Sequence, residues 1–242
     1  MLLYYTIVFF MVGLIMGSFF GVVGTRLSEG KSIIKPGSYC TFCNHKLKWY
    51  ELIPVFSYLI QGGRCRKCKK KLSIFYPIVE LITAILFSVC YYTFDFTTEL
   101  FIALIIASFL VIVIVSDINY LIIPDEVTIF FSILTIILKF CFYGVNKTFF
   151  SILSGILMFC LMYCIMMLGN KIFKKESMGG ADIKLMFFIG LILSPSLSIF
   201  NIFVSSVIAL PVSLISLYKN KDNVIPFGPF LLIGTLLIYF FL

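Results

Sequence analysis

Apolar stretches long enough to cross a lipid bilayer alternate along this sequence with shorter polar breaks. A transmembrane helix needs about 20 predominantly apolar residues, and the first such stretch covers residues 4–24. After a long polar interval, further apolar segments fall at about 77–94, 99–116, 126–143, 149–169, 183–194, 197–217 and 227–242. The pattern predicts an all-α polytopic membrane protein with about eight transmembrane helices.

The composition strengthens this interpretation. Hydrophobic residues make up 61% of the 242-residue chain and charged residues only 12%, whereas about 45–50% of a soluble domain is apolar. On a soluble protein the net charge of +8 would suggest nucleic acid. In a membrane protein, basic residues instead set the topology and contact anionic lipid. We therefore expect the lipid bilayer as a partner, and no nucleic acid.

Basic residues concentrate in the polar interval 26–76, which holds 11 of the 19 lysines and arginines. Short basic loops stay in the cytoplasm, so this interval is predicted to be cytoplasmic and, with eight crossings, both termini lie outside. Seventeen of the 19 basic residues then fall on the cytoplasmic side. The chain is thereby divided into a first transmembrane helix (1–25), a small cytoplasmic domain (26–76) and a larger transmembrane domain (77–242).

Two Cys-x-x-Cys pairs lie in the cytoplasmic domain (26–76), which we call the cysteine domain. They are Cys40 with Cys43 and, after 21 intervening residues, Cys65 with Cys68. Two such pairs can supply four thiolates to one tetrahedral Zn²⁺. Disulfides are disfavoured because the cytoplasm is reducing. The spacing predicts a structural zinc site, and the weaker alternatives are thiol redox chemistry or His45 as a substitute ligand.

Two aspartates stand at the predicted cytoplasmic ends of transmembrane segments. Asp117 ends the third segment and Asp182 begins the sixth. A carboxylate at a membrane boundary is costly and marks a candidate functional site. Two carboxyl groups brought together share a proton, because like charges a few ångströms apart cannot both ionise. One can then act as base toward a water while the other polarises a scissile carbonyl, which is aspartyl-protease chemistry.

Small residues precede the second aspartate. Gly179, Gly180 and Ala181 would let a substrate backbone or a neighbouring helix approach the carboxyl closely. The structural alternative is that Asp182 caps the sixth helix, where the helix dipole favours an acid. Asp117 has no such explanation, since a carboxylate is disfavoured at a helix C-terminus. From the residues alone, the catalytic and structural interpretations of the pair are equally supported.

On these motifs the chain resembles the type IV prepilin peptidases, bacterial membrane aspartyl proteases of the Gly-x-Gly-Asp kind. The cysteine domain is typical of the bifunctional members, which are also N-methyltransferases. Five motifs carry the resemblance in order along nearly the full length. They are Gly17–Phe19 through Arg26–Leu27, the two cysteine pairs with Tyr50–Pro54 and Tyr76–Leu81, Asp117 with Ile123–Asp125, Glu176–Leu185, and Ile225–Phe230.

The resemblance implies that Asp117 and Asp182 are catalytic and that other residues of the same motifs support them. These support residues are Gly179, Gly180, Ala181, Lys184, Glu176 and Asp125. From its place after Pro124, Asp125 also fits a helix N-cap. Glu176 could instead pair with one of the many basic residues.

The resemblance further implies a two-step function in the bacterial inner membrane. The enzyme would cleave the leader of a prepilin or pseudopilin after a glycine at the cytoplasmic face, then methylate the new N-terminal amine with S-adenosylmethionine. No motif indicates where the methyl donor binds. The sequence departs from the family pattern at Ala181, where a glycine is usual, and at Gly21 and Thr25, where Asn and Tyr are usual. The last two changes bear on methylation.

Two other classes of protein share parts of the pattern. A small transporter could use the carboxylates as a proton relay, but transporters place such acids near the bilayer midplane and show internal repeats. Here both acids are predicted at one face, and no repeat is visible. A non-catalytic, zinc-dependent assembly protein would use the cysteine domain and leave the aspartates without a chemical role.

Overall fold

Helices account for most of residues 1–174, 179–218 and 226–242, the parts of the chain that the computed structural model describes. They are α1 (Leu2–Ser28), α2 (Phe56–Ile60), α3 (Phe75–Phe94), α4 (Thr98–Tyr120), α5 (Asp125–Phe173), α6 (Gly180–Ile192), α7 (Pro195–Tyr218) and α8 (Gly228–Phe240). A 3₁₀ turn covers Trp49–Glu51. Extended pairing in these residues is limited to isolated bridges between Tyr39 and Lys46 and between Arg64 and Lys71.

Helix length and apolarity match a polytopic membrane protein. Among the described residues, α1, α3, α4, α5 and α7 are long and apolar enough to cross a bilayer. The 49 residues of α5 include a break in helical geometry at Gly144, where φ is +78°. At 1.5 Å per residue this helix would measure about 74 Å, more than twice the roughly 30 Å hydrocarbon core. The break therefore separates the predicted segments 126–143 and 149–169.

Every apolar segment predicted from the sequence coincides with a helix, and the cysteine domain lies between the two long helices α1 and α3. The predicted fold class is confirmed. The shortest of these segments are α6 and α8, with 13 residues each. Each is about 20 Å long, less than the thickness of the hydrocarbon core.

The first compact unit, Met1–Leu100, is built on the packing of α1 against α3. A small residue allows the two backbones to approach, since a Cβ added at Gly17 would lie 2.8 Å from Glu80 Cα. Nearer the start of α1, Phe9 stacks on Tyr91 with ring centroids 4.7 Å apart. The cysteine domain follows the end of α1 and precedes α3, so both of its ends are attached to this helix pair.

The second compact unit, Phe101–Leu242, has α4 at its centre. In its most apolar stretch, 78% of α4 is buried, as expected of a helix that is apolar around its whole circumference. Phe109 of α4 stacks on Phe131 of α5 at 5.1 Å and meets Phe188 of α6 edge-on at 4.7 Å. This packing holds α4, and the aspartate near its end, against α5 and α6.

Replacing Gly17 by alanine should destabilise the first unit, because the new Cβ would meet Glu80 Cα and the Thr83 hydroxyl at 2.8 Å. Overpacking of this kind costs about 1–3 kcal/mol. Thermal unfolding in detergent, followed by circular dichroism, should show a lower midpoint temperature for Gly17→Ala. Gly21→Ala is the matched control, since nothing lies within 4 Å of a Cβ there. Equal midpoints for the two variants would contradict the close-packing interpretation.

Candidate active site and metal site

The first candidate catalytic aspartate lies one turn before the end of α4. Asp117 is only 7% exposed, and its carbonyl accepts the backbone N–H of Leu121 at 2.9 Å. At Leu121 the chain leaves the helix with a φ of +54°. It then reaches Pro124, the N-cap of α5. Asp117 is therefore a buried carboxyl group held by the last turn of the central helix.

The second candidate lies in the first turn of α6. Gly179 occupies the N-cap position of this helix, which begins at Gly180 and has no side-chain cap hydrogen bond. The expectation that Asp182 could be the N-cap is therefore wrong, because the helix begins before it. Asp182 lies within electrostatic range of Asp117. The end of α4 and the start of α6 thus bring the two predicted carboxyl groups together.

A third helix end meets this pair. The backbone N–H of Gly228, the first residue of α8, donates to the Asp117 carboxyl. A Cβ added at Gly228 would lie 3.1 Å from Asp117 Oδ2 and 2.8 Å from Ile123 Cδ1, so a side chain there would displace both neighbours. Sequence reasoning placed Gly228 in a motif without giving it a role. The available signal was the flanking prolines Pro226 and Pro229, which favour a helix start at this point.

Two of the predicted support residues form an ion pair beside the aspartates. Lys184 Nζ on α6 lies 2.5 Å from Asp125 Oδ1 on α5. The side chains are 46% and 58% exposed, so the pair adds only about 0–1 kcal/mol to stability. Its main effect is to connect the starts of the two helices. Asp125 is not the N-cap that its sequence position suggested, because Pro124 takes that place.

The small residues before Asp182 leave one side of its carboxyl open. Gly179 and Gly180 are exposed, and Ala181 is half-buried. A Cβ at Gly180 would touch nothing within 4 Å, and one at Gly179 would lie 3.8 Å from Asp182 Oδ2. In the described part of the chain, a peptide backbone can therefore approach from this side. Glu176, the remaining predicted support residue, lies outside the described residues.

The four predicted zinc ligands converge in the first unit. The Sγ atoms of Cys40, Cys43, Cys65 and Cys68 all lie within 4.8 Å of one another. Two pairs, Cys40 with Cys68 and Cys43 with Cys65, are 3.9 Å apart. Four sulfurs at about 2.3 Å from a tetrahedral Zn²⁺ would be about 3.8 Å apart. The cluster could therefore hold a metal ion, and its donor set fits zinc.

Both cysteine pairs adopt the same backbone turn. The N–H of the residue after each pair donates to the carbonyl of the first cysteine, from Asn44 to Cys40 at 2.9 Å and from Lys69 to Cys65 at 3.0 Å. Asn44 and Lys69 both have left-handed backbones, with φ of +53° and +58°. The repeated turn presents the two thiols of each pair to the common cluster.

Backbone amides favour ionisation of one of these thiols. The N–H groups of Cys68 and Lys67 lower the pKa of Cys65 to about 6, against the effect of burial. Cys43 accepts the backbone N–H of His45, but burial and the neighbouring thiols raise its pKa to about 11. The thiolate is the form that binds metal, so the backbone N–H groups around Cys65 favour the metal-binding form of that thiol.

A buried acid links the two cysteine turns. The Glu51 side chain is 1% exposed, and its Oε2 accepts the Lys48 backbone N–H at 2.9 Å. The same carboxyl lies 3.4 Å from His45 Nε2 and 4.0 Å from Arg66 Nε. His45 follows the first cysteine pair and Arg66 lies within the second, so Glu51 connects them. His45 faces this acid and does not belong to the thiol cluster.

Comparison with known proteins places both units in one family. The profile of the bacterial peptidase A24 N-terminal domain matches residues 11–94, and that of the type IV leader peptidase family matches residues 104–214. A prepilin leader peptidase/N-methyltransferase of Bacillus subtilis (strain 168) is 32% identical over 97% of this chain and 93% of its own length. A protein of the same description from Myxococcus xanthus is 36% identical over 78% of this chain and 56% of its own length. One from Vibrio cholerae is 29% identical over 98% of this chain and 96% of its own length.

No solved structure matches this chain. The two profiles nevertheless fall within the two compact units, and the relative from Bacillus subtilis covers almost the whole sequence. The resemblance seen in the motifs is confirmed by these matches. The chain belongs to the type IV leader peptidase family.

Proposed function

We propose that this protein is a membrane aspartyl peptidase that removes the leader of a prepilin or pseudopilin after a glycine and then methylates the new N-terminal amine. One observation carries the peptidase assignment: Asp182 lies within electrostatic range of Asp117, which the start of α8 also contacts, and its carboxyl borders the open surface at Gly179 and Gly180. Relatives described as prepilin leader peptidase/N-methyltransferases support the substrate class.

Hydrolysis by this pair uses one ionised and one protonated carboxyl group. The ionised group takes a proton from water, whose oxygen attacks the scissile carbonyl carbon, and the protonated group donates to the carbonyl oxygen. Proton transfer to the amide nitrogen then lets the C–N bond break. The leader gains a carboxyl group and the mature chain an amine. The N–H of Gly228 keeps Asp117 oriented through this cycle, and the leader backbone approaches past Gly179 and Gly180.

We place the reaction at the cytoplasmic face of the inner membrane, with both termini outside. The concentration of basic residues in the interval 26–76 supports this orientation. Helix alternation then puts the end of α4 and the start of α6 on the cytoplasmic side together with the cysteine domain.

We also propose that the thiol cluster holds a structural Zn²⁺. A site closed by four protein ligands has no open position for a substrate and acts by stabilising the fold. Cys40 and Cys43 come from one turn, and Cys65 and Cys68 from the other. The ion would therefore hold the two turns together, as Glu51 does.

Methylation requires S-adenosylmethionine, which would supply the methyl group to the new amine. The first unit has a cavity beside α1. The lining of this cavity is mainly apolar, and its polar side-chain groups are the Ser18 hydroxyl and the Trp49 indole. The donor carries a carboxylate, an ammonium, ribose hydroxyls and an adenine, which need several convergent polar partners. The cavity does not fit the methyl donor.

Replacing Asp117 or Asp182 by asparagine should reduce prepilin cleavage by about 10²–10⁴-fold, the range for loss of a general acid or base. Asparagine preserves the side-chain shape, so the thermal unfolding midpoint should change little. Mass spectrometry of the pilin N-terminus after incubation with membranes measures the cleaved fraction. Glu126→Gln alters an exposed acid nearby and should cleave normally. Undiminished cleavage by either aspartate variant would refute the catalytic role of that residue.

The double change Cys40→Ser and Cys65→Ser should abolish zinc binding, because it removes one ligand from each turn. Elemental analysis of the purified protein should find about one zinc per chain before the change, as for a four-thiolate site, and almost none afterwards. The thermal unfolding midpoint should fall with the metal. Cys141→Ser, at an exposed cysteine outside the cluster, is the control. Unchanged zinc content in the double variant would disprove the site.

A further inference from the structure

The first unit contains a cavity that the peptidase chemistry does not use. Its volume is about 330 Å³, within the usual range of small-ligand sites of about 300–1,000 Å³. One wall comes from Met11, Leu14, Ile15 and Ser18 of α1, and the other from the segment 49–56 that precedes and begins α2. The side chains of Met11 and Ile15 are 49% and 61% exposed on a transmembrane helix. The cavity is therefore open to a ligand that arrives from the lipid side.

A carboxyl group stands directly behind this cavity. Glu80 of α3 is 8% exposed, and its Oε2 accepts the backbone N–H of Val55 at 2.7 Å. The Ser18 hydroxyl, which lines the cavity, also donates to this carboxyl. Val55 lies between two lining residues, Pro54 and Phe56. Glu80 thus contacts both walls, and the Ser18 oxygen is left able to accept a hydrogen bond from a ligand.

The Glu80 carboxyl has no cationic partner in the part of the chain that the structure describes. The ion pairs found among residues 1–174, 179–218 and 226–242 do not include it. A buried carboxylate is strongly stabilised by a cation in contact or one hydrogen bond away. The site is therefore complementary to a positively charged group.

The walls define the rest of the ligand. Apart from Ser18, the α1 side is aliphatic, and the opposite wall contributes the aromatic side chains of Trp49 and Phe56. The faces of aromatic rings attract ammonium groups through cation–π interactions. Aromatic rings also bind apolar side chains by burying a large contact area. The matching ligand is an ammonium group attached to one apolar side chain, which is the chemistry of an apolar residue at a chain terminus.

We propose that this cavity binds the first residue of the cleaved substrate and so presents its amine for methylation. The α-ammonium would donate a hydrogen bond to the Ser18 hydroxyl oxygen, with Glu80 as a positioning residue behind it, and the side chain would lie between α1 and Trp49. The bound ammonium would lose one proton to water before its nitrogen lone pair takes the methyl group. The proposal rests on the proposed function, because only cleavage creates this terminus. It assigns the acceptor site and leaves the methyl-donor site separate.

Binding can be measured directly because Trp49 is the single tryptophan of the chain and lines the cavity. L-phenylalaninamide, which carries the ammonium and an aromatic side chain, should change the fluorescence of the full-length protein in detergent saturably. N-acetyl-L-phenylalaninamide lacks the charge and should bind at least about tenfold more weakly, as expected for loss of a hydrogen bond to a charged group. Equal binding of the two compounds, or no saturable binding of either, would overturn the proposal.

Variants connect this binding to methylation. Glu80→Gln should weaken L-phenylalaninamide binding about tenfold and lower the methylated share of the cleaved pilin, measured by mass spectrometry, by a similar factor. Glu29→Gln, an acid on the surface of the same unit that pairs with Lys31, should change neither. An unchanged methylated share in Glu80→Gln would overturn the proposal. If this variant does not fold, Leu52→Phe, which narrows the cavity and keeps the acid, should weaken binding instead, and unchanged binding would overturn the proposal.

These measurements separate the proposal from the function on which it rests. Cleaved but unmethylated pilin from the unchanged protein would refute the methylation step, while the comparison of the two amides would still decide whether the cavity binds an ammonium. Normal methylation in Glu80→Gln would refute the acceptor site and leave the proposed function intact.

Discussion

Burying carboxyl groups in an apolar, lipid-embedded chain is the constraint on which this structure depends. A buried acid needs hydrogen-bond donors, because an uncompensated charge or polar group in such surroundings is costly. The chain has a net charge of +8, yet in the described residues three buried acids are each met by a backbone N–H. The donor and acceptor pairs are Gly228 with Asp117, Val55 with Glu80, and Lys48 with Glu51.

A backbone donor has a consequence that a lysine would not have. A long lysine side chain keeps its charged end in water and is flexible, so it does not fix the position of an acid that it pairs with. The half-exposed pair of Lys184 with Asp125 is an example. A peptide N–H is fixed by the fold, so the acid that it meets is fixed as well. For Asp117 this means that the start of α8 orients the carboxyl, and the geometry of the candidate active site depends on three helix ends meeting. For Glu80 it means that the segment after the 3₁₀ turn is tied to α3.

The features that sequence predicted well are those encoded locally. Apolar segments predict the helices because bilayer thickness sets their length, and the two Cys-x-x-Cys pairs predict the thiol cluster because four-thiolate spacing is restrictive. What sequence did not show is tertiary. The start of α6 before Asp182 removed one capping interpretation, and Pro124 removed another at Asp125. The donation from Gly228 to Asp117 joins residues that are 111 positions apart in the numbering, and no local pattern reports such a contact.

The alanine that departs from the Gly-x-Gly-Asp pattern illustrates how a motif can be separated into its physical parts. Ala181 lies inside α6, where the helical backbone suits any L-residue and alanine has the highest helix propensity. The N-cap residue Gly179 has a φ of −70°, so its backbone is not left-handed and does not require a glycine. The remaining requirement is space beside the Asp182 carboxyl, and that space lies at Gly179 and Gly180, where an added Cβ would approach the carboxyl or find nothing at all. Alanine at position 181 therefore removes neither the backbone geometry nor the open approach on which cleavage by Asp182 would depend.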